Sequence, residues 1–281
     1  MEILKGKKVA DIINGETRER ISSFEKKPVL VIVFVGDDSA SRIYVKKKIE
    51  ACKEVGIESV QVELPTDISE QDLLTEVETL NNDPSTDAIL VQLPLPRHIS
   101  ERDVLNSITP KKDVECLCCS NFGRFSEYGE TSVVVSPVTP MAVMKILDVY
   151  GIEIEGKNAV VVGNSNIVGK PVTMLLVDRG ATVTVCHEKT RDIGIHTRWA
   201  DILVVAVGKK HLIGEGMFKK SAVVIDVGIN REDGKLFGDV DFEAAKKVVS
   251  AITPVPGGVG PVTVAMLMKN TVELFVNKQN K

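Results

Sequence analysis

The chain has 281 residues, a hydrophobic fraction of 43% and a formal net charge of −4. That length holds one large domain or two ordinary ones, and that hydrophobic share suffices for buried cores. Mild acidity without a basic stripe argues against nucleic acid as a partner, and an odd number of cysteines, five, fits reduced thiols better than a disulfide framework.

The opening stretch, MEILKGKKVADIING, has an apolar–polar helical rhythm in place of the charged head and apolar run of a signal peptide. No apolar stretch reaches the ~18 residues needed to span a bilayer, so the expectation is a soluble, cytoplasmic protein with no membrane partner. Apolar β-rich runs then recur at Val29–Val35, Ser59–Leu64 and Ala88–Leu93. Between them lie helical stretches at Ser39–Val55, opened by a Ser cap, and at Ser69–Leu80, where Asp72 completes a Ser-x-x-Asp pattern. Alternating strands and helices predict parallel βαβ units. The stretch Pro110–Pro137 breaks the rhythm with polar, glycine and aromatic residues and reads as the crossing to a second domain. Its ECLCCS group lacks the second Cys/His pair of a structural zinc site, so the thiols read as small buried hydrophobes and no metal is expected.

A second series begins with a helix at Thr139–Tyr150. Strands follow at Ala159–Val162, Thr182–Cys186, Ile202–Val207, Val223–Val227 and near Val249–Ile252, with helices at Val168–Asp178 and Val262–Asn277. In AVVVGNSNIVGKP a strand ends at Gly163 and a helix follows, which is an anion site by backbone geometry. Gly163 permits a sharp turn and Gly169 close packing of the helix. The pattern departs from G-x-G-x-x-G, with Ser165 in place of the second glycine and the last glycine one position late. The next strand ends in His187-Glu188-Lys189, where an adenine ribose would sit. Later strands end in Ala206-Val207-Gly208 and Asp226-Val227-Gly228, leaving small residues at the carboxyl edge. Together these features predict a dinucleotide site.

The first half carries residues suited to proton transfer. In SASRIYVKKK, Tyr44 and Lys48 share a helix face. A lysine partly desolvated in a cleft loses its proton near neutral pH and serves as a base. Gln92 ends an apolar strand in VQLPLP, Asp113 and Glu115 stand in KKDVEC, and PVPGGVGPVT offers approachable backbone, with Thr263 opening the last helix. Each also fits a bland reading: a solvated helix surface for Lys46 and Lys47, a loop cap for Gln92.

Taken together, SASRIYVKKK, LVQLPLP, PKKDVE, VTP, VVVGNSNIVGKP, VTVCHEKT, DVGIN, GDVDF and TPVPGGVGPVTVAML resemble the bifunctional methylenetetrahydrofolate dehydrogenase/methenyltetrahydrofolate cyclohydrolase family, in the family's order from Ser39 to Leu267. The resemblance implies two α/β domains around a cleft. Residues 1–137 and 264–281 form an amino-terminal folate and catalytic domain closed by the last helix; residues 138–263 form a Rossmann-like NAD(P)-binding domain. It implies oxidation of 5,10-methylenetetrahydrofolate with NADP (NAD being the alternative), then hydrolysis of the methenyl product to 10-formyltetrahydrofolate, in one-carbon metabolism and purine biosynthesis. A homodimer is implied, with tetrahydrofolate derivatives as its small-molecule partners. Lys48 would serve as the base, Tyr44 would stack on the folate, and Gln92 would hold and tune Lys48. Glu115, Gly257, Gly258 and Thr263 fall on folate-binding positions. Thr139, Gly163, Asn164, Ser165, Ile167, Val168, His187, Glu188, Lys189, Gly228 and Ile229 fall on cofactor-lining ones.

Three positions depart from the family. It usually reads KDVDG, where this chain has Glu115 and Cys116; the aspartate normally grips the pterin's nitrogen edge. Asn164 stands where many members carry a residue suited to the nucleotide phosphate, and Glu188 where a residue near the 2′-phosphate often stands. Other readings take up part of the pattern. A dehydrogenase without the hydrolytic step would accommodate Glu115. A different Rossmann oxidoreductase would leave YVKKK and VQLPLP unused, and a nucleotide sensor would not need Lys48 or Gln92.

Overall fold

The computed structural model describes residues 1–129 and 133–280, except the side chain of Ala40. Part of the crossing read at Pro110–Pro137 therefore lies outside the described residues. Two compact units form, one of Met1–Asp11 with Thr139–Thr263, the other of Ile12–Val138 with Val264–Lys281.

In the chain's first stretch come β1 (Glu2–Ile3) and α1 (Gly6–Ser22), the latter crossing from one unit to the other. The amino-terminal unit continues with β2 (Val29–Val35), α2 (Ser39–Val55), β3 (Glu58–Leu64), α3 (Glu70–Asn82), β4 (Ala88–Val91), α4 (Glu101–Ser107) and α5 (Cys119–Tyr128). Its three strands pair in parallel, in the order β3-β2-β4. The central β2, VLVIVFV, is buried along nearly its whole length, as a β-branched run in a parallel sheet requires. Val31, Val33, Ile89 and Val91 pack there against Leu73, Val77, Leu80 and Val104 from α3 and α4. The cap of α2 is Asp38, not Ser39: its carboxylate accepts from the Ser41 amide at 2.7 Å, and Gly56 closes the helix in the left-handed region at φ 93°.

The Rossmann-like unit holds α6 (Val138–Val149), β5 (Asn158–Val162), α7 (Gly169–Asp178), β6 (Thr182–Cys186), α8 (Ile193–Thr197), β7 (Ile202–Val205), β8 (Val223–Asp226), the hairpin β9 (Asn230–Glu232) and β10 (Lys235–Phe237), α9 (Phe242–Ala245) and β11 (Ala251–Ile252). Its parallel sheet runs β1-β11-β8-β7-β5-β6. The chain leaves β5 toward β6 and returns on the other side at β7, so the carboxyl ends of β5 and β7 form a switch point where ligands bind. The assignment of residues 1–137 to the amino-terminal domain needs correction at its start. β1 pairs with β11 and Leu4 donates its amide to Ile252 O at 2.9 Å, so Met1–Asp11 completes the Rossmann-like sheet. A strand of two residues is too short to leave a periodicity.

The last helix, α10 (Val259–Gln279), is long and apolar enough to cross a bilayer by length and composition, which the sequence reading did not expect. It is largely buried within the protein. Ala265, Met266, Leu267, Met268 and Val272 are buried, and the buried Asn270 donates to Val114 O (2.8 Å) and Ser136 O (2.9 Å). Lys278 ties the far end to Asp87 and to Pro84 O, both at 2.6 Å. Satisfied polar anchors of this kind belong to a core helix.

Two glycines shape the first Rossmann turn. Gly163 has φ 120°, and a Cβ there would lie 2.2 Å from Ala206 O; a Cβ on Gly169 would lie 2.1 Å from Gly163 O. Gly169→Ala is expected to force backbone apart and lower the melting temperature by about 5 °C or more. Gly15→Ala, where a Cβ meets open space inside α1, should leave it unchanged or raise it. Differential scanning calorimetry checks both, and equal melting temperatures for the two variants contradict the packing account.

Candidate functional site

Three polar side chains converge at the carboxyl edge of the amino-terminal sheet. Lys48 projects from α2 and donates Nζ to Gln92 Oε1 at 3.0 Å. Gln92 follows β4 directly, and its own Nε2 donates to Leu93 O at 2.6 Å, which fixes the amide's orientation with the carbonyl toward the lysine. Glu115 Oε1 lies 3.9 Å from Lys48 Nζ, with only 14% of the lysine and 20% of the glutamate side chain accessible. Burial lowers the Lys48 pKa and raises that of Glu115, while each opposite charge resists the shift of its neighbour. The outcome is an amine drawn toward its neutral form, held by a neutral carbonyl acceptor.

The flanking residues frame the group. Lys46 and Lys47 are exposed, as read, and Tyr44 is half-buried one turn before Lys48 on α2. Cys52, one turn after, is fully buried with its thiol pushed up to about 12, mainly by burial. Asp113 is a bracing residue: its carboxylate accepts from the amides of Leu117 (3.2 Å) and Cys118 (3.0 Å) and from Asn121 Nδ2 (3.1 Å). It shapes the loop that presents Glu115. Within that loop Cys116 is buried at φ 59°, a conformation natural to glycine, so the family's KDVDG glycine has a backbone reason. Cys118 Sγ accepts the Asn121 amide at the start of α5, and Cys119 is exposed. Among the described residues no group of three or more His, Cys, Asp and Glu side chains is arranged to hold a metal.

In the Rossmann-like unit a cavity of about 720 Å³ opens at the carboxyl ends of β5, β6 and β7. Of the residues read as cofactor-lining, Gly163, Asn164, Ser165, His187, Glu188 and Lys189 line it; Thr139, Ile167, Val168, Gly228 and Ile229 do not. Lys209 lines it as well and went unread, although it directly follows the small-residue run Ala206-Val207-Gly208. Ser165 does more than replace a glycine: its Oγ accepts from the amides of Val168 (3.2 Å) and Gly169 (3.4 Å), so these helix-terminal donors are already engaged. The turn at His187 is closed by its amide donating to Thr190 Oγ1 and by the Lys189 amide donating to His187 Nδ1, at 3.0 and 3.2 Å. That turn leaves Glu188 and Lys189 exposed side by side.

Gly257, Gly258 and Thr263 belong to this same unit, whereas Tyr44, Lys48, Gln92 and Glu115 belong to the other. The Gly6 amide donates to Gly257 O at 2.8 Å, and Thr263 Oγ1 donates back to Val259 O at 3.3 Å. A Cβ on Gly258 would lie 2.5 Å from Pro254 O, so the loop has no room for a larger residue there.

The family model for the tetrahydrofolate dehydrogenase/cyclohydrolase catalytic domain matches residues 4–115, and that for the tetrahydrofolate dehydrogenase/cyclohydrolase NAD(P)-binding domain matches residues 137–279. The bifunctional protein FolD of Halothermothrix orenii is 53% identical over 275 residues, covering 97% of both chains. The crystal structure of the bifunctional FolD dehydrogenase/cyclohydrolase from Campylobacter jejuni is similar over 99% of each chain, with a TM-score of 0.95 and 46% identity. The Trypanosoma brucei enzyme, solved with NADP and an inhibitor, matches with a TM-score of 0.95 at 38% identity, covering 99% of this chain and 98% of that one.

The left-handed Cys116 yields a stability test. Cys116→Gly relieves backbone strain but loses a buried thiol, and the two are expected to offset to within about 1 kcal/mol. Cys116→Val places a β-branched residue at the same φ and should cost about 2 kcal/mol or more. Urea unfolding of both variants measures this, and a valine variant as stable as the glycine one would contradict it.

Proposed function

Because the chain belongs to the tetrahydrofolate dehydrogenase/cyclohydrolase family, we propose that it oxidises 5,10-methylenetetrahydrofolate with NADP and hydrolyses the methenyl product to 10-formyltetrahydrofolate. The observation that carries the reading of the hydrolytic step is the Lys48–Gln92 hydrogen bond in a buried setting beside Glu115. The cavity suits a dinucleotide, since it opens at the switch point formed by the carboxyl ends of β5 and β7. NADP, when bound, supplies the hydride acceptor. Gly163, Asn164 and Ser165 would lie along its phosphates, with His187, Glu188 and Lys189 at its ribose end. There a carboxylate repels a 2′-phosphate while Lys189 attracts it, and Lys209 adds a second cation to the same cavity lining.

The hydrolytic step needs a base, and the roles follow from the Lys48 geometry. The neutral Lys48 amine takes a proton from the water that adds to the methenyl carbon. Gln92 accepts one N–H of the amine and so turns its lone pair away from itself. Glu115 stabilises the ammonium that forms and passes through its longer side chain to the pterin edge that the family's aspartate usually holds. Tyr44, one turn along the same helix face, would stack on the folate.

Support for a homodimer comes from the edge strand β6, unpaired on one side, and from exposed apolar side chains on it and on the elements beside it, Val177, Val185, Ile195 and Trp199. A cytoplasmic location fits the free cysteines. The formyl product fits a role in purine biosynthesis, where one-carbon units at that oxidation level are consumed.

Purified protein incubated with methylenetetrahydrofolate and each nucleotide, with reduced cofactor and methenyl product followed separately, tests the activity. Lys48→Gln is expected to lower methenyl hydrolysis by about a hundredfold or more while dehydrogenation falls much less, because only hydration needs the base. Equal collapse of both activities in a folded variant contradicts this division of roles, and preferential use of NAD by the parent contradicts the cofactor assignment.

A further inference from the structure

Behind the nucleotide cavity, the carboxylate of Asp239 is fully buried among N–H donors. Its Oδ2 accepts from the amides of Val207 (2.6 Å) and Gly208 (2.9 Å); its Oδ1 accepts from the Lys209 amide (2.7 Å) and from Asn230 Nδ2 (2.9 Å). Successive amides turned inward on one point make an anion-binding nest, and here the anion belongs to the chain itself. A second buried carboxylate supports the first. Asp226, at the end of β8, accepts at Oδ1 from the amides of Gly228 and Asp239 and at Oδ2 from that of Val240, each at 3.0 Å. Burial pushes the Asp226 carboxyl up to about 7, against these amide bonds, and the Asp239 charge adds to the rise.

The arrangement leaves no slack. A Cβ on Gly228 would lie 2.0 Å from Asp239 Cγ, and one on Gly238 would lie 1.8 Å from Asp226 Oδ2. Gly228, read from the sequence as cofactor-lining, is a glycine because the Asp239 carboxylate fills the space a side chain needs. The held segment matters for the ligand, since Val207 and Lys209 are part of the cavity wall. Bonds from N–H groups to a carboxylate are about twice as strong as neutral ones, so a single side chain fixes that part of the wall.

We propose that Asp239 is a positioning residue for the nicotinamide nucleotide: it holds the Val207–Lys209 backbone in the shape of the cavity wall and keeps those three amides from capturing a phosphate themselves. This rests on the nucleotide reading of the cavity. Asp226 acts one step further back, by holding the Asp239 backbone.

Asp239→Asn preserves the side chain's size but sets an NH2 group against two of its four donors. On the folded full-length variant, NADP affinity measured by titration calorimetry is expected to fall about tenfold. Hydrogen exchange at the three amides should quicken by a similar factor, while nucleotide-free hydrolysis of methenyltetrahydrofolate stays within about twofold of the parent. A purely structural role would lower hydrolysis and nucleotide affinity together, so a parallel fall overturns the proposal, as does an NADP affinity or an exchange rate within about twofold of the parent. If Asp239→Asn does not fold, Asn230→Ala decides: it removes one donor at the half-buried edge, and a loss of about threefold in NADP affinity is expected, an unchanged affinity being contrary. A parent protein that binds no nucleotide overturns the functional reading itself, a result distinct from a parent that binds and variants that match it.

Discussion

The Lys48 amine donates to a side-chain carbonyl in a setting where water has little access. A lysine in water is a poor base at neutral pH because it is protonated; burial disfavours the charged form and makes the lone pair available. Three elements of the amino-terminal unit place that amine and its neighbours. The rigid β2–β4 pair sets where Gln92 emerges, α2 sets where Lys48 and Tyr44 emerge, and the Asp113-braced loop sets Glu115. A neutral acceptor at Gln92 matters as much as burial. A carboxylate in its place, at 3.0 Å, would favour the ammonium far more strongly than Glu115 does at 3.9 Å.

The Rossmann-like unit solves a different problem, the tight approach of backbone to a polyanion. Its switch-point turn relies on Gly163 and Gly169, which sit where any side chain would strike a carbonyl oxygen. Ser165 then takes up two amides that a glycine would leave exposed, so this turn is less of an anion trap than its position suggests. The side chains that line the cavity at the ends of β6 and β7 include Glu188, Lys189 and Lys209. Farther back, two buried aspartates hold the loop after β7 from the inside.

Much of this was legible in the sequence where periodicity and spacing are strong. The long strands and helices, Val29–Val35 and Ser39–Val55 among them, have the bounds their patterns give. The Tyr44–Lys48 pair and Gln92 were readable as well, since a four-residue helical spacing and a strand end each leave a local mark. What escaped was long-range or short. The two-residue β1 belongs to a sheet whose other strands lie far along the chain. The hairpin β9–β10 was passed over even though Asp233-Gly234, both at positive φ, is a turn signal. Short α4 drew no reading, and α5 lies within the stretch Pro110–Pro137 read as the crossing between domains. The bracing roles of Asp113 and Asp239 are invisible without coordinates, because a carboxylate that collects backbone amides looks the same in sequence as one that binds a ligand. Cys116 shows the reverse case, an oddity in the motif whose cost is read directly from its φ.

Whether burial beside Gln92 makes Lys48 a base is read most directly from its protonation equilibrium. NMR titration of protein labelled at the lysine side-chain carbons, with Lys48→Gln used to assign the signal, follows that amine alone. Lys48 is expected to titrate clearly below the ordinary lysine value of 10.5. A Lys48 signal that titrates at or above that value would contradict it.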